Sequence, residues 1–212
     1  MSTSAQVEAA IVERLLDGRY GPGDWIRQDA LAAELDVSKI PVREALHRLA
    51  GEGMLRFETN RGVRVPELDA RTAREVFALR QGVERALLDA AIGKHSIVDL
   101  AEAQHALERV DVSPTAANWA FHAALYRPAG WERGLRIAHS LHATVAGYVV
   151  RYLRDLHGDD DSGQEHRTLL DCCREQDRDG AQRVLGHHLT TAADALIEQL
   201  ELLDVPHEPF VP

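Results

Sequence analysis

Residues 55–65 read LRFETNRGVRV, and this short stretch sets narrow limits on the fold around it. Leu55 and Phe57 alternate with Arg56 and Glu58, and Val63 and Val65 flank Arg64. Period-two alternation on both sides of an Asn-Arg-Gly tip predicts a β-hairpin. The segment before it has helical spacing instead. Val7, Ile11, Leu15 and Leu16 predict a helix over about 5–17 that stops at Gly18. The turn GRYGPGD carries Pro22 and Gly23 as breakers, and Trp25 and Ile26 read as a brief strand or a docking hook. Leu31 and Leu35 share one face of a second helix, about 29–35. Ser38 is placed to N-cap a third, and Pro41 falls in its first turn, where a missing donor breaks no bond. Val42, Ala45, Leu46 and Leu49 line the buried side of that helix. Three short helices closed by a hairpin predict a winged helix-turn-helix over residues 1–66.

Beyond Pro66 the pattern is helical throughout. Helices are expected near 69–92, 96–109, 113–128, 131–156, 161–176 and 178–203. Their apolar stripes include Val76, Leu79, Val83 and Leu87, and later Val184, Leu185, Leu189, Ala192, Leu196 and Leu200. The expected fold is therefore mainly α: a winged helix-turn-helix followed by an all-α bundle. Residues 67–72 form a short linker, 73–204 the bundle and 205–212 a loose tail.

Charge is distributed to match. The chain of 212 residues has a formal net charge of −10, which excludes a uniformly basic nucleic-acid coat. Residues 38–64 nevertheless hold six basic against three acidic side chains. Nothing approaches the roughly 18 consecutive apolar residues of a membrane span, and the N-terminus has no signal-peptide pattern. The expectation is a cytoplasmic protein without membrane partners.

Lys39, Arg43 and His47 follow one another at i, i+4 and i+8, on the face opposite Leu46 and Leu49. An exposed helix face of this kind suits the major groove of double-stranded DNA, where an Arg bidentate to guanine gives about 1–3 kcal/mol of discrimination. Ser38, at the helix N-terminus, suits a phosphate. Arg61 at the hairpin tip suits the minor groove, Gly62 lets the tip approach closely, and Arg56 and Arg64 are placed for phosphate contacts.

The stretch from Ile11 to Val65 resembles the DNA-binding domain of GntR-type bacterial regulators. GRYGPGD, LAAELDVS, PVREALHRLAGEGML and NRGVRV carry the likeness. The bundle resembles the FadR C-terminal-like domain (FCD), in its shorter, six-helix VanR-like branch. The resemblance implies a homodimer on operator DNA, most simply a repressor released by a small organic acid. It also makes Lys39 and Arg43 contacting positions and Gly62 the wing glycine. Two departures stand out. Ser38-Lys39-Ile40-Pro41 replaces the usual Ser-Arg-Thr-Pro, and Lys39 lacks the planar fork of Arg. Asp29 stands where some members have an Arg, with Arg27 as a weak substitute.

The family's metal pattern, Asp or Asn then His four residues on and two later His, is met by Asn118, His122, His166 and His188. Three imidazoles from three helices suit Zn or Ni, with Mn a further candidate. Asn118 brings a neutral oxygen where Asp would bring charge. His187, about 100° round the helix from His188, reads as a surface or supporting residue. Arg80 matches the family's first-helix Arg and is the leading clamp for an effector carboxylate, with Arg136, His139 and Tyr152 behind it. Trp131 replaces a common Asn and is expected to reshape one end of the pocket. Cys172 and Cys173 are read as packing residues ahead of a redox pair.

Two other functions compete. A metal-dependent hydrolase would need a general base, and no motif supplies one; Glu165, beside His166, is expected to point elsewhere. A structural metal-binding helical protein would not need Lys39, Arg43 and Arg61. The chain is therefore read as a non-enzyme.

Overall fold

The computed structural model describes residues 3–58, 61–109, 114–148 and 160–203. Its first part is built from α1 (Thr3–Leu16), β1 (Trp25–Ile26), α2 (Gln28–Glu34), α3 (Lys39–Gly51), β2 (Arg56–Glu58) and β3 (Gly62–Arg64). Trp25 and Ile26 are a strand: β1 pairs antiparallel with β3, β3 with β2, and the sheet order is β1-β3-β2. Val7, Ile11, Leu15, Leu31, Val42, Leu46, Leu49 and Val63 are all buried in one core. Asp36 takes a left-handed φ of 51° and turns the chain between α2 and α3, a conformation that Asp tolerates better than most side chains. The winged helix-turn-helix expected from the sequence is present.

Two local details differ from expectation. Ser38 occupies the N-cap position of α3, but its side chain makes no capping bond. Phe57, on the alternating face of the wing, is 39% exposed.

The second part holds α4 (Ala70–Ala91), α5 (Ile97–Leu107), α6 (Pro114–Tyr126), a 3₁₀ turn (Arg127–Ala129), α7 (Glu132–Tyr148), α8 (Asp160–Glu175) and α9 (Arg178–Leu203). Asp69 caps α4, accepting from the Thr72 amide at 2.6 Å. Ser96 and Asp99 form a capping box at the start of α5. The long helix expected to reach residue 156 is described to Tyr148, and the expected loose tail lies outside the described residues. Helix α4 runs along α9 and α7, while α5 pairs with α6 and α8 with α9. The α4 stripe is shifted from the expected one. Leu79 is half exposed, and Val76, Phe77, Arg80, Glu84, Leu87 and Leu88 face inward. No helix among the described residues is long and apolar enough to cross a membrane.

The two parts share packing. Ala143 and Ala146 of α7 are buried in the core of the winged part, and Ala116 and Trp119 of α6 pack against it. Ser140 donates to the Glu52 carbonyl at 2.9 Å. The Leu68 amide donates to the Tyr148 hydroxyl, which ties the linker to α7.

Candidate functional site

The exposed face of α3 presents Lys39, Arg43 and His47. Arg43 is exposed and directed away from the core. Lys39 is paired instead: its Nζ lies 2.9 Å from Asp29 on α2. His47 stacks on Phe57 with ring centroids 4.3 Å apart and planes 23° from parallel. This contact braces the wing against the helix. Arg56 and Arg61 are exposed on the wing. Gly62 has a φ of 115°, with nothing nearer its missing Cβ than Trp25 at 4.0 Å. The glycine is thus required by backbone conformation rather than by lack of room. Arg64, expected at a phosphate, has partners within the chain. It donates to the Gly23 carbonyl at 3.2 Å, pairs with Glu67 and lies over the Trp25 ring. The pair with Glu67 is exposed, at the base of the wing.

The second constellation is buried in the bundle. Thr115, Asn118 and His122 fall on one stripe of α6. His166 comes from α8 and His188 from α9. One ring nitrogen from each of His122, His166 and His188 lies within 4.8 Å of the others, and all three residues are buried. His122 Nε2 and His166 Nε2 are 3.3 Å apart.

Neighbouring groups fix which nitrogens face inward. Tyr126 donates to Glu84 at 2.8 Å, so its oxygen accepts from His122 Nδ1 at 3.1 Å. Glu165 accepts from His188 Nδ1 at 2.8 Å. Each contact leaves Nε2 with its lone pair toward the cluster. Arg80 completes the outer network by donating to Glu84 at 2.6 Å, and both side chains are buried.

Burial pushes His122 well below the usual imidazole range, and the neighbouring His166 and His188 push it the same way. Burial, then His188, brings His166 to about 3. Neutral imidazoles are the form that binds a metal. Asn118 Oδ1 is buried without a hydrogen-bond partner. Three convergent imidazole nitrogens and one orphaned oxygen fit a borderline divalent ion.

Several side chains here carry no signal in the sequence pattern. Glu84, Tyr126 and His142 belong to the buried network. Glu165 does not point elsewhere: it reaches across to α9, touching His188 and, at 3.4 Å, the exposed His187. Arg80 lies within electrostatic reach of His122 and His142. His139 is half-buried and stacks on Trp119 at 4.6 Å. Arg136 is exposed and takes no part in the cluster, and Trp131 is 53% exposed at the start of α7. Tyr152 lies outside the described residues. Burial raises both cysteine thiols, Cys173 to about 12, which favours packing over redox chemistry.

Comparison with known proteins agrees with this architecture. Residues 3–65 match the bacterial regulatory proteins of the gntR family, and residues 75–191 match the FCD domain. A probable D-xylose utilization operon transcriptional repressor of Paenarthrobacter nicotinovorans is 28% identical over 196 residues, covering 89% of this chain and 86% of that protein. The transcriptional repressor GlaR of Escherichia coli is 23% identical over 193 residues, covering 84% of this chain and 88% of its own. Among solved structures, E. coli McbR/YncC superposes with a TM-score of 0.83 at 24% identity, over 94% of this chain and 99% of that one. A GntR regulator from Rhodococcus sp. RHA1 gives 0.76 at 25% identity, over 93% and 99%. With residues 3–65 in the gntR match and residues 75–191 in the FCD match, this chain belongs to the GntR family of bacterial transcriptional regulators.

Proposed function

We propose that the protein is a homodimeric repressor that leaves its operator when a small organic acid binds beside a divalent ion in the bundle. The observation that carries this reading is the buried meeting of His122, His166 and His188 beside the unpartnered Asn118 oxygen. These four residues would hold the ion, Zn or Ni in preference to Mn. Such an ion polarises an oxygen ligand and fixes the orientation of a carboxylate. Arg80, buried and adjacent, would close its guanidinium on that carboxylate. The two relatives above, both named as repressors, support the sign of regulation. Six helices in the described bundle favour the VanR-like branch.

On DNA, two copies of α3 would enter successive major grooves. Arg43 would read base edges, while Ser38, Lys39, Arg56 and Arg61 hold the backbone and minor groove. Ser38 Oγ, unused as a cap, is free for a phosphate. Effector binding would act through α6 and α7, since Trp119 and the Ala143–Ala146 surface seat the winged part on the bundle.

A metal-dependent hydrolase is less well supported. The carboxylates in contact with the cluster's network, Glu84 and Glu165, are already hydrogen-bonded to Arg80, Tyr126 and His188. The test is elemental analysis of the mildly purified protein and of His166→Ala, followed by operator binding across a panel of carboxylic acids. About one divalent ion per chain, lost in the variant, with acid-dependent release of DNA, is the expected result. Equal metal content in both proteins would exclude His166 as a ligand.

A further inference from the structure

Ile40, the second residue of α3, is 63% exposed. At about 100° per residue it points about 170° away from the mean direction of the buried Val42, Ala45, Leu46 and Leu49. It therefore marks the centre of the outward face. Lys39 lies only about 70° from the buried direction, which agrees with its pairing to Asp29 on α2 at 2.9 Å. His47, further along the helix, is held by Phe57 of the wing, with ring centroids 4.3 Å apart. The leading end of the outward face is thus left to Ile40, with the exposed Arg43 one turn on.

Single exposed apolar residues are ordinary on any protein surface. Ile40 differs by its place. A recognition helix enters the major groove with its N-terminal residues against base edges. The six basic and three acidic side chains of residues 38–64 suit a polyanion rather than an apolar partner. Ile has no donor or acceptor, so it adds no hydrogen bond to a phosphate. Among the groups that base pairs present in the major groove, the apolar one is the C5-methyl of thymine. We infer that Ile40 packs on a thymine methyl and makes the operator half-site thymine-specific beside the base pair met by Arg43. Residues 40 and 43 are about 4.5 Å apart along the helix axis, against a base-pair rise of roughly 3.4 Å, so the two bases are neighbours. This deepens the DNA reading above and rests on it; the bundle and its ion play no part.

Selection from random DNA duplexes with the full chain supplies the operator, and each thymine in it is then replaced by deoxyuridine, which lacks only the methyl. At one thymine of a half-site the parent's affinity should fall about fourfold, the scale of one buried methyl group. Ile40→Ala should bind the unmodified operator at least about fourfold more weakly, with affinity for scrambled DNA unchanged. In that variant the deoxyuridine penalty at the same thymine should drop to about one. Ile40→Val, which keeps a branched apolar surface, should retain most of the penalty and serves if Ile40→Ala melts below the parent. An operator on which no deoxyuridine matters overturns the contact, as packing on deoxyribose would give, and leaves α3 as the reading helix. A penalty undiminished in folded Ile40→Ala overturns it too. If selection enriches no sequence, the DNA reading falls and this inference with it.

Discussion

Replacing Glu84 by Gln should expose how the buried network works. Glu84 is 1% exposed and Arg80 4%, and the two are joined at 2.6 Å. The substitution keeps the volume and removes the charge that balances the guanidinium. Breaking one partner of such a buried pair costs about 3–5 kcal/mol, because the surviving charge is left without compensation. A chain of this size loses roughly 2–4 °C per kcal/mol, so the melting temperature should fall by about 6–20 °C. A second effect follows from proton direction. With its one oxygen turned to Arg80, the new amide presents its NH2 to Tyr126, whose hydroxyl then accepts and can turn its own proton toward His122 Nδ1. His122 would then carry its proton on Nε2, facing the other two imidazoles. Changes of this kind around a metal ligand typically weaken binding by about 10–100-fold. Differential scanning calorimetry on the chelated protein and a zinc competition titration measure the two effects separately. Glu201→Gln is the control, since its pair with Arg74 is half exposed on both sides and should be worth at most about 1 kcal/mol. A Glu84→Gln protein as stable as that control, with parental zinc affinity, would refute the reasoning.

Arg43→Ala should lower affinity for the true operator relative to scrambled DNA by about 5–150-fold, the range for one lost bidentate base contact; an unchanged ratio in binding isotherms would remove Arg43 from base reading. The metal-free protein should lose stability on acidification. His122, His142 and His166 are held below the usual imidazole value chiefly by burial, His166 near 3, so the unfolded chain takes up protons first as pH falls through about 6.5. Stability is therefore complete above that value and declines toward pH 3, with His166 alone costing about 2 kcal/mol by pH 5; a urea midpoint that holds constant between pH 7.5 and 5 would contradict it. Trp119→Leu should keep operator binding and reduce acid-induced release at least about fivefold, the lower range of a typical coupling energy; full release at the parental acid concentration would show that coupling bypasses α6.

Most of the winged part was legible because each element carries its own local instruction. Pro22 and Gly23 break the chain before Trp25, and two alternating runs around one turn pair with each other. What the alternation could not show was that His47 reaches across to Phe57, or that Asp29 meets Lys39. Both contacts join residues on different elements, and their partners are ordinary surface types when read singly. The partners of Arg64 are hidden from the sequence for the same reason. A basic residue on a wing looks like a phosphate contact until its three neighbours, Gly23, Glu67 and Trp25, are seen around it.

The metal candidates were legible as residue types in a family register, while the groups that orient them were not. Arg80 and Glu84 occupy inward positions of α4 at which periodicity expects Leu or Val. A charged residue on such a stripe shifts the apparent phase of the helix, so the apolar spacing points to Leu79 as an inward residue and gives no sign of Glu84. The i, i+4 spacing of opposite charges does hold a clue, but it is shared by many solvated helix pairs, and burial alone separates the two cases. Glu165 illustrates the limit from the other side. Being next to His166 in sequence turns it away from that ring on the same helix, yet this same rotation aims it at His188 on α9. Adjacent residues on one helix therefore serve two different imidazoles, a relation set by how α8 packs on α9 rather than by any spacing along the chain.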